Sequence, residues 1–246
     1  MVNPMDATDV IKRIESALEH EPRVNPHRSD IAIEFAEGTV TLSGEVESIA
    51  AKRLALERAA ALPDVSGIVD RLRVKPAEKM GDGEIASHIE HAIASDSAFD
   101  TCAIMKTVGE TREVVRPREP ERRECWIEIR VDDGVVTLDG VVPSLSHKRL
   151  AGAIAWWVPG SRDVVNGLGV EPDERDSDAE IVDALELVLE KDPLLDSSQM
   201  RATCKNSVVT LRGVARNETE RDLAEFDAWA VFGVDDVVNE LSTLPS

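Results

Sequence analysis

The chain has 246 residues, 42% of them hydrophobic, and a formal net charge of −20 from 28 basic and 48 acidic side chains. That content builds packed cores, and that charge repels phosphate backbones and anionic surfaces on average. No basic stripe breaks the excess of acid, which excludes nucleic acid as a partner, and no apolar run approaches the roughly 20 residues that span a bilayer.

The N-terminus, Met1 to Asp9, lacks a basic start followed by an apolar run, so no secretory signal is expected. Three cysteines without framework spacing suggest a reducing compartment and free thiols, with Cys102 and Cys125 placed to pair under oxidation. The expected location is cytoplasmic.

In chain order, the first pattern is helical. Val10, Ile14 and Leu18 recur at four-residue spacing, as do Ile85, Ile89 and Ile93 and then Ile181, Leu185 and Leu189. These stripes predict amphipathic helices, with Asp6 or Thr8, Asp82, and Ser177 or Asp178 as N-cap candidates. A strand with alternating apolar residues follows each helix: Ile31, Ile33 and Phe35; Ile127, Ile129 and Val131; Met200, Ala202 and Cys204. Cys204 therefore reads as a small buried hydrophobe. Turns at Glu37-Gly38, Asp133-Gly134 and Asn206-Ser207 lead into three copies of one stretch. These are Val40-Thr-Leu-Ser-Gly44, Val136-Thr-Leu-Asp-Gly140 and Val209-Thr-Leu-Arg-Gly213. The turns predict hairpins, and Leu42, Leu138 and Leu211 face the core. The glycines Gly44, Gly140 and Gly213 suit a close approach of a helix to its sheet.

A second helix is predicted over 48–62, 144–158 and 217–231, and a third strand over Ile68–Val74, Val164–Val170 and Val237–Thr243. From Leu42 to Val69, Leu138 to Val165 and Leu211 to Val238 the spacing is 27 residues each time. The strand–helix–strand link makes the third strand parallel to the anchor strand. The repeat is therefore αββαβ, and the fold class is α+β: three tandem units, each with two helices on one face of a small three-stranded mixed sheet. The expected domains are 1–78, 79–172 and 173–246, joined by polar, proline-bearing linkers at Lys75–Gly83 and Glu171–Ser177. The third carries 7 basic and 18 acidic residues, −11 of the −20. The second has about 23 extra residues near 102–124, read as a surface loop or β-arm in which Cys102–Val108 is a possible extra strand.

A unit of αββαβ with Thr-Leu-x-Gly in one strand and Val-Val-Asn/Asp in the next resembles the BON domain of bacterial osmotically inducible periplasmic proteins and proteins tied to nodulation. The resemblance spans nearly the whole chain. It implies no enzyme activity and no cofactor. It implies roles in envelope or osmotic stress, with phospholipid binding proposed, and for one cytoplasmic member potassium sensing.

Candidate contact residues are few. Trp156 and Trp229 hold equivalent places on the second helix, where the first unit has Ala60. That place lies about 170° from the centre of the core-facing stripe at 100° per residue, so these tryptophans are expected to pack between units or protomers, or against a partner or lipid headgroup. Trp157 flanks the core, and Trp126 is placed to cover the sheet face without helices. Arg116, Arg118, Arg122 and Arg123 make the insertion the one basic arm for a lipid surface. His88 and His91 sit near Glu84, but zinc demands three or four ligands, and no third has recognisable spacing. The acids Asp173, Asp176, Asp178 and Glu180 lack the glycine and alternation of a calcium loop. No nucleophile elbow or phosphate loop is present, and Gly167-Leu-Gly169 falls inside a strand. The expectation is a non-enzymatic, stress-associated binding protein; the alternatives are a peripheral phospholipid binder and a potassium- or calcium-responsive protein.

Overall fold

The first repeat runs α1 (Ala7–Glu19), β1 (Asp30–Ala36), β2 (Thr39–Val46), α2 (Ile49–Ala60) and β3 (Gly67–Val74) in the computed structural model, which describes residues 7–24, 30–117 and 125–244. β2 is the central strand, antiparallel to β1 and parallel to β3. Val40, Leu42 and Val46 point from it into a core closed by Val10, Ile14 and Leu18 of α1 and Leu54, Ala55 and Ala59 of α2. The chain divides into two compact units, Met1–Lys75 and Pro76–Ser246.

The second unit holds the other two repeats. It runs α3 (Asp82–Ser95), β4 (Ala103–Val108), β5 (Thr111–Arg116), β6 (Trp126–Asp132), β7 (Val135–Val142), α4 (Leu145–Trp157), β8 (Asp163–Asn166), β9 (Gly169–Val170), α5 (Asp178–Lys191), β10 (Met200–Lys205), β11 (Val208–Ala215), α6 (Glu218–Ala230) and β12 (Asp236–Thr243). The third repeat copies the first, with β11 between antiparallel β10 and parallel β12.

The second repeat departs from a three-stranded sheet. Its insertion is not a loose loop: β4 and β5 form a hairpin, and β4 pairs in parallel with β6, so the sheet reaches six strands. Lys106 ties the hairpin to the helix layer through Glu90 at 3.2 Å and pairs within the hairpin with Glu113 of β5 at 3.3 Å. A disulfide joins Cys102 to Cys125, with Cα atoms 4.5 Å apart, where free thiols were expected. The cysteines sit at the heads of the neighbouring strands β4 and β6, where Ala103 N–H also donates to the Cys125 carbonyl at 3.0 Å. The expected third strand is broken into β8 and β9 by Gly167 and Leu168.

Local chemistry explains the recurring residues. Both residues of each hairpin turn have positive φ: 50° and 80° at Glu37-Gly38, 49° and 71° at Asp133-Gly134, 52° and 62° at Asn206-Ser207. That is the primed turn whose twist suits a hairpin. Asp82 and Asp178 are not N-caps: they are the first helical residues, and their carboxylates accept the turn amides. Asp82 binds Asp133 and Gly134 at 3.1 and 2.9 Å, and Asp178 binds Asn206 and Ser207 at 2.8 and 2.9 Å. The second helices start on Ser48, Ser144 and Asn217, whose side chains each accept the amide three residues on.

The glycines Gly44, Gly140 and Gly213 answer to a strand, not to a helix. Their φ values are 123°, 139° and 127°. A Cβ on any of them would overlap the carbonyl oxygen of Asp30, Trp126 or Gln199 across the sheet. The neighbouring strand therefore excludes every side chain there.

Candidate functional site

The Asn/Asp that ends each repeat's Val-Val-x signature is structural. In the third repeat Asn239 donates to the Arg221 carbonyl at 3.0 Å and accepts from Leu241 N–H at 3.2 Å. Asn166 does the same with Lys148 at 2.7 Å and Leu168 at 3.4 Å. Asp70 has no amide to donate, and Lys52 takes over: it pairs with Asp70 at 2.8 Å and donates to the Leu72 carbonyl at 2.6 Å. The residue thus pins the third strand to the second helix. Leu42, Leu138 and Leu211 are fully buried.

Trp156 and Trp229 are buried, at 9% and 2% exposure. Both lie on helices of one joint: α4 packs against α5 and α6. A helix facing core on one side alone shows a polar back, whereas α4 is buried from Arg149 to Trp156 without a break. Arg149, fully buried, donates to the Phe232 carbonyl at 2.8 Å and pairs with Asp176 at 2.7 Å. Trp157 Nε1 donates to Asp227 Oδ1 at 2.7 Å. Lys191 at the end of α5 pairs with Asp96 after α3 at 3.0 Å. The half-buried Trp126 opens β6 opposite Val141.

Arg116 is engaged inside the second repeat. Its guanidinium donates at 2.6 Å each to the Ala94 carbonyl, an acceptor left over at the end of α3, and to the Phe99 carbonyl in the turn that follows. Arg118, Arg122 and Arg123 lie outside the described residues. His88 and His91 are exposed, and the described residues hold no group of three or more His, Cys, Asp or Glu fit for a metal ion. Burial, aided by the Asp178 carboxylate, pushes the Cys204 thiol up to about 11, so it stays protonated at neutral pH.

On the sheet face turned away from the helices, where sequence reasoning places Trp126, it leaves a recurring valine unmarked. Val69, Val165 and Val238 stand on that face, 38%, 50% and 41% exposed. Each lies beside the threonine of its anchor strand: Thr41, Thr137 and Thr210. The signal was available, since these valines have the opposite parity to the core residues of their strands. In the second repeat the same face carries a charged cluster. Glu128 accepts from Thr107 at 2.9 Å and pairs with Arg112 at 3.2 Å and Arg130 at 3.3 Å. Burial works to raise the Glu128 pKa, but Arg130, Thr107 and Arg112 together hold it below the ordinary carboxylate range.

A family model described as BON domain matches residues 6–76, 119–172 and 177–245. The chain belongs to the BON domain family. In this BON-family chain the second match begins at 119, so α3 and the β4–β5 hairpin lie outside it. Over 167 residues, 68% of this chain and 73% of the relative, the sequence is 29% identical to Osmotically-inducible protein Y of Escherichia coli (strain K12). Among solved structures, the C-terminal domain of CdsD, a structural protein of the type III secretion system of Chlamydia trachomatis, aligns over 98% of this chain and 100% of that one. Its TM-score is 0.25 and its identity 15%. Among the described residues no helix is long and apolar enough to cross a membrane.

Proposed function

We propose that this BON-family chain is a non-enzymatic interaction protein of the osmotic-stress response, and that it meets its partner through the open sheet faces. One observation carries the reading: on the helix-free face of all three sheets the same valine is exposed beside a half-buried threonine, at Thr41–Val69, Thr137–Val165 and Thr210–Val238. Folding leaves these valines in water, whereas the other recurring residues are used up in turns, close strand contacts and helix ties. The likeness to an osmotically inducible protein supports the physiological setting. The helix-2 tryptophans, packed in a joint, offer little to a lipid headgroup. The disulfide removes the ground on which a reducing compartment was inferred.

The test is growth of host cells lacking the protein after an osmotic upshift. Restoring the native chain is expected to rescue growth; a chain with Val69→Asp, Val165→Asp and Val238→Asp, folded by circular dichroism, is expected to fail. Full rescue by that variant would sink the proposal. Flotation of the purified chain with anionic vesicles at low salt, lost in the same variant, would instead make a phospholipid surface the partner.

A further inference from the structure

Each repeat places an acid three residues beyond the last core residue of its first helix: Glu21, Asp96 and Asp192 after Leu18, Ile93 and Leu189. Sixteen residues past the central leucine, the second helix carries Arg58, Ile154 and Asp227 in one equivalent place. The three repeats settle the acid differently. In the first, Arg58 pairs with buried Glu21 at 2.8 Å and Arg23 joins at 3.1 Å. Burial tends to raise the Glu21 pKa, but these guanidinium groups hold it below the ordinary range. In the second, Ile154 brings no charge, and Lys191 from the third repeat reaches Asp96. In the third, an acid faces an acid: Asp227 stands where the arginine would be, within hydrogen-bonding reach of Asp192.

Asp227 is fully buried and Asp192 is 6% exposed. Asp227 Oδ1 accepts the Trp157 indole N–H from across the joint. Its Oδ2 is buried without a hydrogen-bond donor among the described residues. A carboxylate there would bury a charge with one oxygen unsatisfied, whereas the protonated acid carries no charge. The basic groups on elements packed against α6 turn elsewhere, with Lys148 of α4 lying over the Phe232 ring at 5.5 Å. Arg149 of α4 holds Phe232 and Asp176, Lys191 of α5 holds Asp96, and Arg216 after β11 holds Glu220 at 2.7 Å. Arg212 of β11 holds Glu240 of β12 at 2.6 Å, and Asn239 of β12 holds Glu225 at 3.0 Å.

We propose that Asp227 keeps a proton in the docked joint, and that losing it loosens the third repeat's hold on the second. Burial, together with Asp192, pushes the Asp227 carboxyl up to about 8 against the stabilising Trp157 bond. The sign follows. The folded pKa lies above the unfolded one, so from about pH 4 to about pH 8 the folded chain holds a proton that the unfolded chain releases. This contribution is present in full below the lower value, shrinks as pH rises through the window and is gone above it.

The experiment uses the whole chain and Asp227→Asn, an uncharged stand-in that keeps the acceptor for Trp157. Unfolding of the second and third repeats is followed in urea from pH 5 to 9, together with the Trp157 indole resonance, assigned with Trp157→Phe. The ratio of wild-type to variant unfolding constants is expected to climb about tenfold per pH unit between 5 and 7 and to level off above 8. The Trp157 resonance is expected to shift with a midpoint near that plateau in the wild type only. A ratio flat across the range, or a Trp157 titration that persists unchanged in Asp227→Asn, overturns the proposal.

Discussion

A Cβ at Gly140 would overlap the Trp126 carbonyl oxygen in a backbone conformation open only to glycine. Gly83, within the first turns of α3, meets only a Val108 methyl at an ordinary 3.8 Å. Two glycine-to-alanine changes in one repeat should therefore act in opposite directions. Gly140→Ala is expected to destabilise the second unit by on the order of 3 kcal/mol, the scale of a backbone forced into a forbidden region with an overlap added. Gly83→Ala is expected to stabilise it by about 0.5 to 1 kcal/mol through helix propensity. Thermal melting followed by circular dichroism reads both. The glycine's recurrence was plain in the sequence, but its reason was not: a period-two strand says which side chains face the core and nothing of how near the next backbone comes. The Asn166 and Asn239 ties were likewise visible as a motif and opaque as chemistry, because their partners, the Lys148 and Arg221 carbonyls, lie 18 residues away.

The elements themselves were legible because their periodicities are clean. The αββαβ order, the antiparallel hairpin and the parallel third strand all follow from stripes, turns and crossover length. The insertion was the least legible element. In Ala103–Val108 both faces of the strand find cover: Lys106 reaches the helix layer, and Thr107 reaches Glu128 on the other side. A strand covered on both sides loses the alternation by which strands are recognised. The sequence left the Cys102–Cys125 pairing open and favoured free thiols for a related reason, since the two meet only because β4 and β6 are parallel neighbours. It closes a loop of 23 residues, and restricting the unfolded chain over such a loop is worth about 3 kcal/mol. Replacing both cysteines by serine is therefore expected to lower the melting temperature of the second and third repeats by several degrees. A melt unchanged by the double substitution would show that the hairpin is held by its pairing alone.

At the scale of the whole molecule, the second and third repeats form one body through α4, α5 and α6. The sequence hinted at this where Trp156 and Trp229 stand off the core face of their helices, but an aromatic on the back of a helix does not say which surface covers it. The first repeat has an exposed Ala60 at that place, one turn from exposed Glu57. Buried Arg149, the Trp157–Asp227 bond and the Lys191–Asp96 pair each span the joint, so opening it strands several polar groups at once. This makes the two repeats one cooperative unit. Native-state hydrogen exchange, resolved by mass spectrometry in mild denaturant, tests that most directly. The account predicts that protected amides of α3–β9 and of α5–β12 are lost together, with one denaturant dependence. If the α5–β12 amides exchanged while α3–β9 kept full protection, the joint would not be a joint and the account would be wrong.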